Sequence, residues 1–177
     1  MKLNILKPRQ ALNKAFLKVK PNRSEIESFK TNLIHLLDNI YDIESEEFHK
    51  NLIIEFLKKT YYDPAYFINT KGRNDLVIHN DKTADSTVGV IIETKSPSNN
   101  TEMVSKENLN TKAFQELVLY YLRERITHEN IEVKHLVITN IYEWFIFDSN
   151  IFDRIFAQNR TLVNQFKDFE AGRLSGI

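Results

Sequence analysis

The chain has 177 residues, with 24 Lys and Arg balanced by 24 Asp and Glu, and no cysteine. This length suffices for one domain with a sizeable core, and the neutral balance excludes a strongly basic nucleic-acid binder, so any phosphate contact must come from local clusters or from a region outside this chain. The missing cysteines exclude a disulfide framework and thiolate metal sites and fit a reducing cytoplasm; no apolar run has the length of a membrane span, and the N-terminus lacks the apolar segment of a signal peptide.

Residues 1–23 are basic and weakly patterned, and read as an arm or an irregular helix. Ser24 and Glu27 have capping-box spacing, and Ile26, Phe29, Leu33, Leu36, Leu37 and Ile40 then recur at helical spacing. A second helix is predicted over "IESEEFHKNLIIEFLKKTYY", with three glutamates near its positive end and Asp63-Pro64 as its stop. The pieces "AYFINT", "DLVIH" and "VGVIIETK" read as strands. A polar connection leads to a strong helix, "TKAFQELVLYYLRERIT", then to two strands, "KHLVITN" and "EWFIFD", and to a helical tail from about Asn150. The fold expected is α/β, a mixed central sheet flanked by helices. One domain is expected over 1–177, with a helical extension over 1–43, a core over 44–148 and a C-terminal helix over 149–177. The end at "GRLSGI" reads as leading into a downstream region absent from this chain.

The stretch "GVIIETKSP" places a carboxylate and an ammonium at the end of an apolar strand. Strand residues two apart share a face, so Glu93 and Lys95 point the same way. If the two middle strands form a hairpin centred on Ala84, Leu76 falls against Ile92, Val77 against Ile91, and Asp75 opposite Glu93. Two carboxylates then stand roughly 5 Å apart on one face, which destabilises a sheet. A divalent cation removes that repulsion, since Mg²⁺ is held by one or two carboxylates with water and phosphate oxygens. With Lys95 one strand step beyond, the set suits metal-assisted phosphodiester hydrolysis. On the following helix Gln115 lies at the edge of the stripe formed by Phe114, Leu117, Val118, Tyr121 and Leu122, where a half-buried amide needs partners.

These residues resemble the PD-(D/E)XK nuclease superfamily, in which an aspartate starts one strand and E-x-K ends the next, within a helix, three strands, helix, strand core. Over essentially all of its length, the chain resembles the N-terminal endonuclease region of type IIG restriction–modification enzymes. The segments carrying this likeness are "LNILKPRQALNKAFLKVKPNRSEIESFK", "KGRNDLVIH" and "NLNTKAFQELVLYYLRERI". The resemblance implies a restriction-endonuclease-like core and Mg²⁺-dependent cleavage of double-stranded DNA, with Mn²⁺ as a substitute. Asp75 and Glu93 would be metal ligands, Lys95 would help to place the attacking water, and Glu46 would be the first-helix glutamate joining them. Double-strand cleavage would need a transient dimer on DNA, and methyltransferase and target-recognition domains would follow in the same polypeptide.

Related nucleases often carry Q-x-x-x-Y on the second helix; Gln115 fits, but four residues on stands Leu119, with Tyr120 and Tyr121 just beyond. No glycine-rich cofactor loop or "NPPY"-type tetrapeptide occurs in the chain, so it is not expected to methylate DNA. Lys71 and Arg73, just before Asp75, are candidate phosphate contacts beside the plainer reading of solvated loop cations. The rival to the whole reading is a non-catalytic nuclease-like module that contacts DNA or another subunit.

Overall fold

The computed structural model describes residues 4–72 and 74–175. The N-terminal arm contains a short helix α1 (Pro8–Ala11) and one 3₁₀ turn (Phe16–Lys18), neither burying any residue. Helix α2 (Arg23–Asp38) starts two residues earlier than its sequence signature suggested. Asn22, rather than Ser24, is the cap: its side chain accepts from the Glu25 N–H, and the Glu25 carboxylate accepts from the Asn22 N–H. Asn caps as well as Ser, and a reciprocal partner three residues on decides between them.

Helix α3 (Glu46–Leu57) is capped by Ser45, whose hydroxyl accepts from the Phe48 N–H, and it runs on through a π-helical turn (Lys58–Tyr62) to Asp63-Pro64. Strands β1 (Ile68–Lys71), β2 (Asn74–His79) and β3 (Val88–Thr94) follow, then α4 (Lys112–Leu122), β4 (His135–Thr139) and β5 (Trp144–Asp148). The C-terminal segment is two helices, α5 (Ser149–Phe152) and α6 (Arg160–Glu170), where one tail was expected; Asn159 caps α6 and separates them.

The five strands lie in the order β1-β2-β3-β4-β5, with β3 and β4 parallel and every other pair antiparallel. Parallel neighbours require a crossover, and here it is the connection bearing α4. Between β2 and β3 the register is Leu76 with Ile92, Val77 with Ile91 and Ile78 with Val90, as the sequence predicts. It slips only at the far end, where His79 meets Val88.

Alternation along β2 and β3 divides the core into two layers. On one face Val77 and Ile91 pack with Phe114, Leu117 and Tyr121 of α4. On the other, Leu76, Ile78 and Ile92 pack with Ile53, Phe56 and Leu57 of α3 and with Leu36 of α2. Each such side chain contributes about 1.5–3 kcal/mol by leaving water. Because β3 is covered on both faces, it reads as a continuous apolar run, and the charged residues at its end stand out against that run.

Candidate functional site

Asp75 and Glu93 stand at the end of the β2–β3 pair with the parity of Val77 and Ile91, Glu93 sharing Lys95 with Glu116 of α4 and Asp75 reaching Lys50 of α3. Asp75 is fixed from two sides. Its Oδ2 accepts from the backbone N–H of Thr94 at 2.9 Å and from the Thr94 hydroxyl at 2.6 Å, and its Oδ1 accepts from the Lys50 ammonium of α3 at 3.2 Å. Glu93 is 1% exposed, with one oxygen 2.6 Å from Lys95 Nζ and the other, Oε2, without a hydrogen-bond partner. Burial first, and the neighbouring charge of Asp75 second, push the Glu93 carboxyl up to about 9 against the pull of Lys95.

Lys95, 4% exposed, is the focus of the cluster. Its ammonium lies 2.6 Å from Glu93, 2.9 Å from Glu116, and 3.8 Å from both Glu46 and Glu102. Burial acts to lower its pKa, but the charge of Glu93 and its hydrogen bonds to Glu93 and Glu116 outweigh this and hold it above the ordinary lysine range. Counting the partners of Lys50 and Lys112 as well, six carboxylates (Glu46, Glu47, Asp75, Glu93, Glu102, Glu116) meet three ammonium groups (Lys50, Lys95, Lys112). The cluster is thus strongly acidic within a neutral chain.

The structure therefore brings together Asp75, Glu93, Lys95 and Glu46. It does not bring Gln115 with them. That side chain is exposed rather than half-buried, and its amide donates to Asn110. One residue further, about 100° around the helix, Glu116 turns toward Lys95 instead. Tyr120, four residues after Glu116, is pushed above the ordinary tyrosine range by burial and then by the charges of Glu93, Glu116 and Asp75. Glu116 and Tyr120 thus present the i, i+4 spacing that Gln115 and Leu119 do not. Lys71 is committed elsewhere: its ammonium lies 3.0 Å from the buried Glu124. Arg73 lies outside the described residues.

Sequence reasoning missed Lys50, Glu102 and Glu116. Glu116 could have been found by testing each phase of the α4 stripe for a carboxylate at i, i+4 from a tyrosine. Lys50 and Glu102 carry no such signal, since one lies on a separate element 25 residues before Asp75 and the other in an aperiodic connection.

All the donors are carboxylate oxygens, the set a hard cation such as Mg²⁺ takes, and Glu93 Oε2 is a buried polar atom without a hydrogen-bond partner. Among the described residues no three His, Asp or Glu side chains converge as a ready metal group; the carboxylates converge on the Lys95 ammonium instead. A groove of about 640 Å³ between Tyr66, Asn80, Glu132, Lys134 and Asp148 opens at the opposite end of the sheet. None of the orphaned polar atoms found among the described residues lines it. Among the described residues no helix is long and apolar enough to cross a membrane.

A family model described as a domain of unknown function, DUF7149, matches residues 6–177, and the chain belongs to that family. No curated protein and no solved structure matches it.

Proposed function

We propose that this chain is a metal-dependent DNA endonuclease domain of the restriction type, hydrolysing phosphodiester bonds at the cluster built on Asp75, Glu93 and Lys95. The observation that carries the reading is one buried ammonium, Lys95, drawn among four carboxylates while a buried oxygen of Glu93 has no partner. A purely structural ion pair needs one acid per base, and strongly perturbed, oversupplied groups mark functional sites. The order α3, β1, β2, β3, α4, β4 supports a restriction-endonuclease-like core around that cluster.

In this reading Asp75 and Glu93 hold Mg²⁺, with Glu46 and Glu116 within reach of the same space. A cation held there would supply Lewis acidity to a phosphate oxygen and to the attacking water. The chain's own residues do the rest. The two Thr94 donors fix the Asp75 carboxylate, so the ligand enters in one orientation. Lys95, kept charged by Glu93 and Glu116, presents a cation to a phosphate oxygen or to the attacking water. A single cluster serves one strand, so double-strand cleavage requires two copies on DNA, with recognition supplied by domains that follow in the polypeptide, inside the cell.

The test is Mg²⁺ and Mn²⁺ titration by calorimetry on the chain, on Asp75→Ala and on Glu93→Ala, with cleavage of supercoiled DNA measured in parallel. Binding is expected in the parent and lost in both variants with the fold retained, and cleavage is expected to fall at least about 100-fold, since removing even an outer-shell partner of a metal costs 10–100-fold. Cleavage unaffected by Asp75→Ala would eliminate this site. Absence of both metal binding and cleavage in the parent would favour the non-catalytic module.

A further inference from the structure

The cluster contains a second buried lysine with no part in the chemistry above. Lys50 lies on the inward face of α3 with His49, Ile53, Phe56 and Leu57, and is 8% exposed. A buried ammonium is costly unless paired, and an aliphatic residue would suit that face better. Its partners are Asp75 Oδ1 at 3.2 Å and Glu47 Oε2 at 2.5 Å. The Thr94 hydroxyl and N–H, both on the other Asp75 oxygen, are neutral donors that leave the carboxylate charge uncompensated. Lys50 is the ammonium that compensates it.

We propose that Lys50 is the internal counter-ion of the candidate metal site: it neutralises Asp75 in the metal-free protein, and a divalent cation competes with it for that carboxylate. The proposal rests on reading Asp75 as a metal ligand. The physics is one of like charges. An ammonium 3.2 Å from Asp75 Oδ1 repels any cation on that carboxylate, and even at an effective dielectric of about 20 such charges a few ångströms apart interact by several kcal/mol. In the absence of metal the same ammonium neutralises the Asp75 carboxylate. One substitution should therefore move two observables in opposite directions. A residue that merely positioned Asp75 would move both downward.

The experiment compares the chain with Lys50→Met and Lys50→Arg, measuring Mn²⁺ affinity by calorimetry and thermal unfolding in chelator and in saturating Mn²⁺. Lys50→Met is expected to melt lower in chelator, to bind Mn²⁺ about tenfold tighter, and to regain most of its lost Tm when Mn²⁺ is added. Lys50→Arg keeps the charge and should resemble the parent in both. Lys50→Gln, which loses charge but keeps hydrogen-bonding capacity, carries the same expectation and replaces the Met variant if that does not fold. Mn²⁺ affinity equal to or weaker than the parent's in a folded neutral variant overturns the counter-ion role alone. Mn²⁺ stabilising neither the parent nor the variants overturns this proposal together with the metal reading on which it rests.

Discussion

Glu93 and Glu124 are both 1% exposed, and each has a lysine ammonium within 3.0 Å, yet their surroundings differ in kind. Glu124 meets one lysine, Lys71, and the amide of Asn130, which also donates to the Val88 carbonyl. Acid, base and amide there tie the turn after α4 to the start of β3 and to β1. Glu93 shares its lysine with three other glutamates, stands beside Asp75, and has an oxygen without a partner. A buried pair in balance is a fastening. A buried excess of one sign is held at a cost in stability, which in the proposed reading a bound cation would offset.

Breaking the Lys71–Glu124 pair gives the largest loss of stability expected of a single substitution at fixed pH. Lys71→Met removes the ammonium 3.0 Å from the buried Glu124 and should lower the unfolding free energy by about 1–3 kcal/mol, below the roughly 3–5 kcal/mol of a fully severed buried pair because Lys71 is itself one-third exposed and Glu124 keeps the Asn130 amide. Urea denaturation measures this, and Mn²⁺ affinity should not change. Unchanged stability with weakened DNA binding would instead return Lys71 to the phosphate-contact role its position before Asp75 suggests.

A second effect, read across a pH window and not at one pH, separates the unbalanced cluster. Folding raises the Glu93 carboxyl from 4.5 to about 9, so the folded chain keeps a proton that the unfolded chain releases. The stability this proton provides is whole below about pH 4.5 and is lost as pH rises toward 9. In chelator, Tm should therefore fall across that window, and Glu93→Gln should flatten the fall. Glu55, Glu102 and Asp153, each held below its ordinary value, act in the other direction, with stability lost as pH falls. Only the difference between the parent and the Gln variant isolates Glu93. Parallel curves for the two would show that Glu93 is ionised when folded and that Lys95 fully compensates it.

What the sequence disclosed follows from which periodicities are rigid. Strand parity is two, so Asp75, Glu93 and Lys95 could be placed on one end of one hairpin, and the core register from Leu76 with Ile92 to Ile78 with Val90 is the one counted from Ala84. Glu46 came from the resemblance, which asks for a glutamate on that helix, and it falls on the helical face of His49, Ile53 and Leu57. The phase of α4 was harder: an error of one residue is a rotation of about 100°, enough to exchange Glu116 for Gln115. Glu102 belongs to a connection that packs Met103, Val104 and Leu109 into the core without any repeat to announce it. Lys50 pairs with Asp75 across 25 residues, and Lys71 with Glu124 across 53. Such pairings are decided by how α3, β1 and α4 pack, which no local pattern encodes.

The smallest effect tests that phase of α4 directly. Gln115 is exposed and donates only to Asn110, itself exposed, so Gln115→Ala should change the unfolding free energy by no more than about 0.5 kcal/mol and leave Mn²⁺ affinity where it was. Ala is also the better helix former, which offsets the lost hydrogen bond. A null result has content here because the neighbouring position does not share it: Glu116 holds Lys95 at 2.9 Å, and removing its charge unbalances the cluster that Gln115 does not touch. A loss of Mn²⁺ binding in Gln115→Ala would mean that α4 presents its other side to the cluster when metal is bound, and the contrast between Glu93 and Glu124 would then have to be rebuilt with an amide, not a carboxylate, as the fourth partner of Lys95.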